Sequence, residues 1–310
     1  MMHRRFGWSL TALLAGAWLS WATSAAETFR VATYNLNNYV DEAGPGRVVK
    51  SAEARAKVRE SIRALRPDVL AVQEIGGVRA LEELRASLRA EGLDFAHWEH
   101  VTGWDTNIFV AVLSRFPIVA RRSHTNESFL LSGRRYHLSR GIAEVDIAVS
   151  PGYRFTLFTS HLKSKRPVPE ADEAELRLEE AKVLRAKIDA RLAADPRANI
   201  VVLGDFNDTK DSRSTRAIVG YGRGKLVDTR PAERNGDNTP PANPAWDPPN
   251  ITWTHFYGKE DTYSRIDYIL LSQGMAREWL REETYVLALP NWGAASDHRP
   301  LVAGFVAEDR

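Results

Sequence analysis

Residues 199–208 read NIVVLGDFND: four apolar residues from Ile200 to Leu203, then Gly204, Asp205, Phe206, Asn207 and Asp208. A short β-branched run bounded by turn formers predicts a strand buried on both faces. This one closes on an acid and an amide. The same pattern recurs along the chain. FRVATYN (29–35) ends at Asn35, DVLAVQE (68–74) at Glu74, and RFTLFTSHL (154–162) carries His161 near its end. RIDYILLS (265–272) contains Asp267, and SDHRP places Asp297 and His298 before PLVAGFV (300–306). IFVAVLSR (108–115), PIVARRS (117–123), GIAEVDIAV (141–149) and TYVLAL (284–289) read as further strands. The polar groups are expected at strand C-termini, where α/β sheets bind ligands.

Between these strands lie helical patterns. Val58, Ile62 and Leu65 fall on one helix face, with Ser51 as cap and Pro67 as terminator. Val78, Leu81, Leu84 and Leu88 mark a second amphipathic helix. Glu170 to Leu192 reads as the longest, with Leu176, Val183, Leu184, Ile188 and Leu192 as its apolar stripe and its charged residues as a solvated face. Residues 231–250 hold six prolines and read as a long loop. No repeat or interdomain linker interrupts the series. The predicted architecture is α/β: two mixed sheets packed face to face, flanked by helices.

The chain has 310 residues and 44% hydrophobic composition, ordinary for a globular protein able to bury a full core. Its first 26 residues have the order of a secretory signal peptide: Arg4 and Arg5, an apolar run from Trp8 to Ala22, then small residues before Glu27. The run is shorter than the ~18–20 residues that span a bilayer. We therefore expect residues 27–310 to form one exported domain with no membrane span. The formal charge of +2 resides in that leader; without Arg4 and Arg5 the balance is 40 basic against 40 acidic residues. Global charge thus gives no argument for a nucleic-acid partner. Two local clusters do: five arginines against Glu127 between Arg121 and Arg140, and five basic residues against Asp211 between Lys210 and Lys225.

The chain contains no cysteine. That excludes disulfides, thiolate zinc sites and a cysteine nucleophile. No G-x-S-x-G, Walker-type or G-x-G-x-x-G motif occurs. Carboxylates, amides and imidazoles remain, a hard-donor set suited to Mg²⁺, Mn²⁺ or Ca²⁺. Histidines beside such an ion can move protons on an attacking water and a departing oxygen, the parts needed to hydrolyse a phosphoester.

Taken in order, TYN, QE, SHLKSK, GDFN, RIDYIL and SDHRP resemble the endonuclease/exonuclease/phosphatase superfamily, the deoxyribonuclease I-like fold. The resemblance spans about residues 28 to 306. It implies a four-layered sandwich and metal-dependent phosphoester hydrolysis. It assigns Glu74 as principal metal ligand, with Asn35 beside it and Asp297 assisting. It assigns Asp205 and Asn207 to metal, phosphate or water, His298 oriented by Asp267 to activation of the water, and His161 to phosphate and leaving oxygen. Asn37 stands where apurinic-site endonuclease relatives have Asp, which points toward the deoxyribonuclease I or phosphatase branches. Asp105 is a candidate partner of His161.

Arg140, Lys163 and Lys165 are candidate substrate-phosphate ligands, and Tyr136, Trp104 and Trp253 candidate partners for bases. His97, His100, His124, His137 and His255 lie outside the motifs and read as surface or structural. The expected function is an exported, monomeric nuclease acting on DNA or RNA. The alternative is a phosphatase or phosphodiesterase of small-molecule or lipid-headgroup esters. A binding module without catalysis is disfavoured, since each motif position keeps a competent side chain.

Overall fold

The computed structural model describes residues 27–44, 47–233 and 252–310. The expected leader, and most of the loop expected at 231–250, lie outside the described residues. In chain order the elements begin with β1 (Thr28–Tyr39), α1 (Ala52–Leu65), β2 (Val69–Ile75), α2 (Val78–Ala90), β3 (His97–Val101), β4 (Phe109–Ser114) and β5 (Ile118–Arg121). There follow β6 (Ser128–Leu131), β7 (Arg134–His137), β8 (Ala143–Ser150), β9 (Tyr153–His161), α3 (Glu173–Ala194), β10 (Ile200–Asp205) and α4 (Arg213–Val219). The chain closes with β11 (Val227–Asp228), β12 (Ala232–Glu233), β13 (His255–Tyr257), β14 (Thr262–Ser264), β15 (Asp267–Leu271), β16 (Trp279–Val286) and β17 (Leu301–Val306).

One sheet runs β12-β16-β17-β1-β2-β4-β3 and the other β11-β15-β10-β9-β8-β5. Alternation along each central strand explains the layering. In β2, Val69 and Ala71 face the second sheet, while Leu70 and Val72 face α1 and α2. In β10, Val201 and Leu203 face inward, while Ile200 and Val202 pack on α3 and α4 with Leu184, Ile188 and Ile218. Both faces of each sheet are covered, so these strands read as unbroken apolar runs. The result is helix, sheet, sheet, helix, the expected four-layered α/β sandwich. Ser51 caps α1 as expected, its hydroxyl accepting from the Ala54 N–H.

Some expectations change. Within the stretch expected as a loop, Ala232–Glu233 forms β12, paired in parallel with β16. The charged residues of α3 do not all face water: Arg177 and Glu180 are buried. Both bond to the loop after β9, so tertiary contact overrides the helical pattern. Among described residues no helix is long and apolar enough to cross a membrane.

Candidate active site

Register alone assembles half of the site. β9 and β10 run parallel with His161 opposite Asp205, and β15 runs antiparallel to β10 with Asp267 opposite Asp205. His161, Asp205 and Asp267 therefore form one row across the edge of the second sheet. Asp267 opens its strand, and Asp297 and His298 precede β17. They are not at C-termini as expected; their strands are antiparallel, so their N-termini reach the same edge.

The second row comes from the first sheet, and its backbone is bent to deliver it. β1 pairs with β2 through Asn35 and Gln73, then the register breaks, and β2 shifts again against β4 between Gln73 and Ile75. Glu74, Asn37 and Asn38 hold φ of +59°, +47° and +61°. A bulge of this kind turns a side chain out of the pleat, and a non-glycine residue in the left-handed region stores strain of order 1–3 kcal/mol. Glu74 is thereby turned to the edge, where the Asn38 N–H donates to its Oε2 at 3.0 Å. Gln73 stays inside, donating 3.1 Å to both Thr33 and Thr159, and so ties the two sheets beneath the site. Gly204 meets a stricter demand. At φ +135° a Cβ there would lie 2.1 Å from the Ser160 carbonyl oxygen, so only glycine lets β9 and β10 approach with His161 and Asp205 level.

The rows meet around Asn35. Its Nδ2 donates to Asp205 Oδ2 at 2.9 Å and reaches Glu74 Oε1 at 3.5 Å, while its Oδ1 accepts from the Asn37 N–H at 2.9 Å. His161 Nε2 lies 3.4 Å from Asp205 and 3.8 Å from Glu74. Asn207 donates its N–H to Asp205 Oδ1 at 2.8 Å and its Nδ2 to the Leu162 carbonyl at 3.0 Å. His298 Nδ1 contacts Asp267 Oδ2 at 2.8 Å, leaving Nε2 to face Asp205 at 3.7 Å and Asp297 at 3.9 Å. The Thr254 hydroxyl accepts from the Asp267 N–H, and the Ser296 hydroxyl donates to the Asn35 carbonyl while accepting from the His298 N–H.

Burial and charge set the protonation states apart. Burial presses His161 well below the ordinary histidine value, helped by Arg140, His298 and Arg47, so it is neutral near pH 7. Burial acts in the same direction on His298, but the carboxylates of Asp267 and Asp205 outweigh it and carry it up to about 10. Burial lifts Asp205 to about 7 against the pull of His298, with Asp267 adding to the rise. Asp297 ends below its ordinary value: burial raises it, but His255 and His298 prevail.

This donor set fits a hard divalent cation. Asp205, Asp267 and His298 lie close enough to share an ion, as do His255, Asp297 and His298, and Glu74 adds a carboxylate across Asn35.

The candidate phosphate ligands divide. Arg140 is nine-tenths buried beside His161 and reaches the Leu162 carbonyl at 3.4 Å. Lys163 folds onto its own loop, bonding the carbonyls of Ser164 and Arg166. Lys165 is directed to Asp208 at 3.5 Å. Asp105 is no partner of His161; it pairs with Arg47 at 3.1 Å and Arg140 at 3.8 Å. His161 Nδ1 has no hydrogen-bond partner. The expected basic clusters are largely consumed within the protein: Arg121 pairs with Glu99, Arg122 with Glu144 and Asp146, Arg213 with Glu175, and Lys210 and Arg216 with Asp211.

Several site residues escaped the sequence reading. His255, expected to be surface or structural, stacks on His298 with centroids 4.5 Å apart and lies 3.7 Å from Asp297. Glu180 accepts from the Ser139 N–H, the Ser139 hydroxyl and the Lys163 N–H, pinning the two loops that carry Arg140 and His161. Lys50 donates to the Ala295 carbonyl; burial lowers its pKa although Asp297 and Glu74 pull it upward. Ser139 and Lys50 carry no motif; Glu180 has a signal, an acid inside the helix's apolar stripe.

Comparison with known proteins follows from this geometry. The profile of the Endonuclease/Exonuclease/phosphatase family matches residues 32–298. No curated protein matches the sequence. Among solved structures, the catalytic domain of human Nocturnin with bound sulfate superposes with a TM-score of 0.61 at 15% identity, covering 91% of this chain and 95% of its own. Truncated TDP2 of Caenorhabditis elegans gives 0.58 at 14%, covering 90% and 98%. Sphingomyelinase C of Streptomyces griseocarneus gives 0.56 at 18%, covering 90% and 99%. At these identities the structural likeness establishes the fold.

Proposed function

The chain belongs to the endonuclease/exonuclease/phosphatase family, and from that premise we propose that it is an exported nuclease cleaving phosphodiester bonds of DNA or RNA. Family membership makes it a metal-dependent hydrolase of phosphoesters; the substrate, the ion and the compartment are our reading. The observation that carries it is the split between two buried histidines on either side of Asp205, one neutral and one tied to a carboxylate.

The chemistry follows from those states. In its neutral form, reached only once the proton held by Asp267 and Asp205 has been released, His298 has its Nδ1 held by Asp267 and its Nε2 turned into the site, where it accepts a proton from the attacking water. Asp205 and Asn207 orient that water and the phosphate. His161 Nε2 lies near the opposite carboxylates and hydrogen-bonds a phosphate oxygen or the departing oxygen. Arg140 places positive charge where the phosphoryl oxygens gain negative charge. Glu74, Asp205 and Asp297, with the Asn35 amide between the first two, are the groups that would hold Mg²⁺ or Mn²⁺. When bound, the ion supplies Lewis-acid neutralisation of the phosphate.

A small-ester or lipid-headgroup phosphodiesterase is the competing reading. The hairpin of β13 and β14 beside His298 exposes Tyr257 and Tyr263, yet its tip carries Lys259, Glu260 and Asp261. Acidic groups at the tip oppose insertion into an anionic membrane surface, which favours the nuclease. Export rests on the leader-like residues 1–26; N-terminal sequencing of the protein recovered outside the cytoplasm should start near Glu27. Purified protein with Mg²⁺ is offered supercoiled plasmid, RNA, bis-p-nitrophenyl phosphate and sphingomyelin. Nicked plasmid or degraded RNA supports the reading; turnover confined to the small ester or the lipid refutes it.

A further inference from the structure

Trp104 is 70% exposed, unusual for the largest aromatic side chain. It lies flat on His137, ring centroids 4.4 Å apart and planes inclined by 8°, so one face is covered and the other is open. The plate is rigidly placed. The Trp104 N–H donates to the Leu138 carbonyl and the Asp105 N–H to the Ser139 carbonyl. Beneath it the backbone at Gly103 passes so close to residues 140–141 that a Cβ would lie 2.5 Å from the Gly141 nitrogen.

The plate borders a cavity of about 390 Å³ whose lining includes Asp105, Asn107, Arg140 and Lys163. Arg140, nine-tenths buried there, leaves its Nε without a hydrogen-bond partner, and its guanidinium adjoins the carbonyl that follows His161. The cavity therefore opens next to the reacting centre. Its free charge is positive, because Asp105 is engaged by Arg47 and Arg140. A quaternary ammonium headgroup would meet the Arg140 guanidinium, and an alkyl chain gains little from one flat ring. A planar base attached to an anionic phosphate satisfies both features.

We propose that Trp104, backed by His137, is a base-stacking subsite that selects nucleotide-bearing phosphodiesters, with Arg140 facing the attached phosphate. This rests on the nuclease reading and adds a specificity determinant to it. The test uses the 3′- and 5′-p-nitrophenyl phosphate esters of thymidine, each against its analogue lacking the base. The wild type should show a KM about tenfold lower for one base-bearing ester, the size of a single base–aromatic stack. Trp104→Ala should lose that preference and show the same high KM for both members of the pair. Trp104→Phe should keep most of it. A preference that survives in Trp104→Ala, or a wild type with none on either ester, overturns the subsite. If plasmid or RNA is still cleaved, only the subsite falls; if neither is cleaved, the nuclease reading falls and takes the subsite with it.

Discussion

Replacing Asp267 by Asn isolates the group that orients the candidate base. The rise of His298 from 6.5 to about 10 corresponds to roughly 5 kcal/mol favouring the imidazolium. It is what remains after burial opposes the charged form and three carboxylates outweigh it, Asp267 at 2.8 Å and Asp205 and Asp297 at 3.7 and 3.9 Å. A charge-assisted hydrogen bond contributes about 1.5–3 kcal/mol, so the variant's His298 should lose its proton about one to two pH units lower. The sign is fixed: the neutral imidazole is the base, activity rises as it deprotonates, and removing a carboxylate favours the neutral form. In steady-state hydrolysis of bis-p-nitrophenyl phosphate at constant Mg²⁺, the ascending limb of kcat against pH should move acidward. The plateau should fall about 10²-fold, within the range attributed to general bases, because the amide no longer fixes the tautomer. Activity within threefold of wild type with an unmoved limb, or a limb displaced toward alkali, refutes the reasoning.

Other consequences are as specific. Glu74→Gln still accepts from the Asn38 N–H, so its denaturation midpoint should barely move. The Mg²⁺ concentration giving half-maximal rate should rise by at least the ~10-fold that losing even an outer partner of a metal costs; an unchanged Mg²⁺ curve excludes Glu74 as a ligand. Gly204→Ala, with its Cβ 2.1 Å from the Ser160 oxygen, should destabilise by at least ~2 kcal/mol in urea denaturation and reduce activity, as strand separation displaces His161 and Asp205. Away from the site, burial lifts Glu278, hydrogen-bonded to Tyr153, from 4.5 to about 7. Folding thus takes up a proton between those values, so stability present below pH 4.5 declines as pH rises through 7. Glu278→Gln should abolish this decline, and parallel melting curves for both proteins between pH 5 and 8 would argue against it.

The two-sheet sandwich was legible because strands buried on both faces leave unbroken apolar runs, and helices covering them leave stripes such as Val58, Ile62 and Leu65. The site was legible where a polar residue ends such a run, as at Asn35, Glu74 and Asp205. The positive φ at Glu74 leaves no residue-type signature at Glu74 itself, whereas Asn37 and Asn38 belong to a residue type that tolerates the left-handed region. His255 was missed because β13 has three residues, too few for any period to show. Arg177 was assigned to water because helical periodicity reports distance from the core and not the loops that cover a helix end; Glu180 was assigned there by its charge, although it falls between Leu176 and Leu184 on the apolar stripe. The basic clusters misled for a related reason: a sequence counts arginines, whereas Glu99, Glu144 and Glu175, remote in the chain, neutralise them in space.

The central claim is that this edge is a metal-dependent phosphodiesterase centre acting on nucleic acid. Its most direct test is the initial rate of plasmid nicking and RNA cleavage by the wild type and His298→Ala, with Mg²⁺ and again in excess chelator. The account predicts Mg²⁺-dependent cleavage by the wild type, none in chelator, and none by the folded variant under either condition. Wild-type cleavage that continues undiminished in chelator, or survives in His298→Ala, contradicts it.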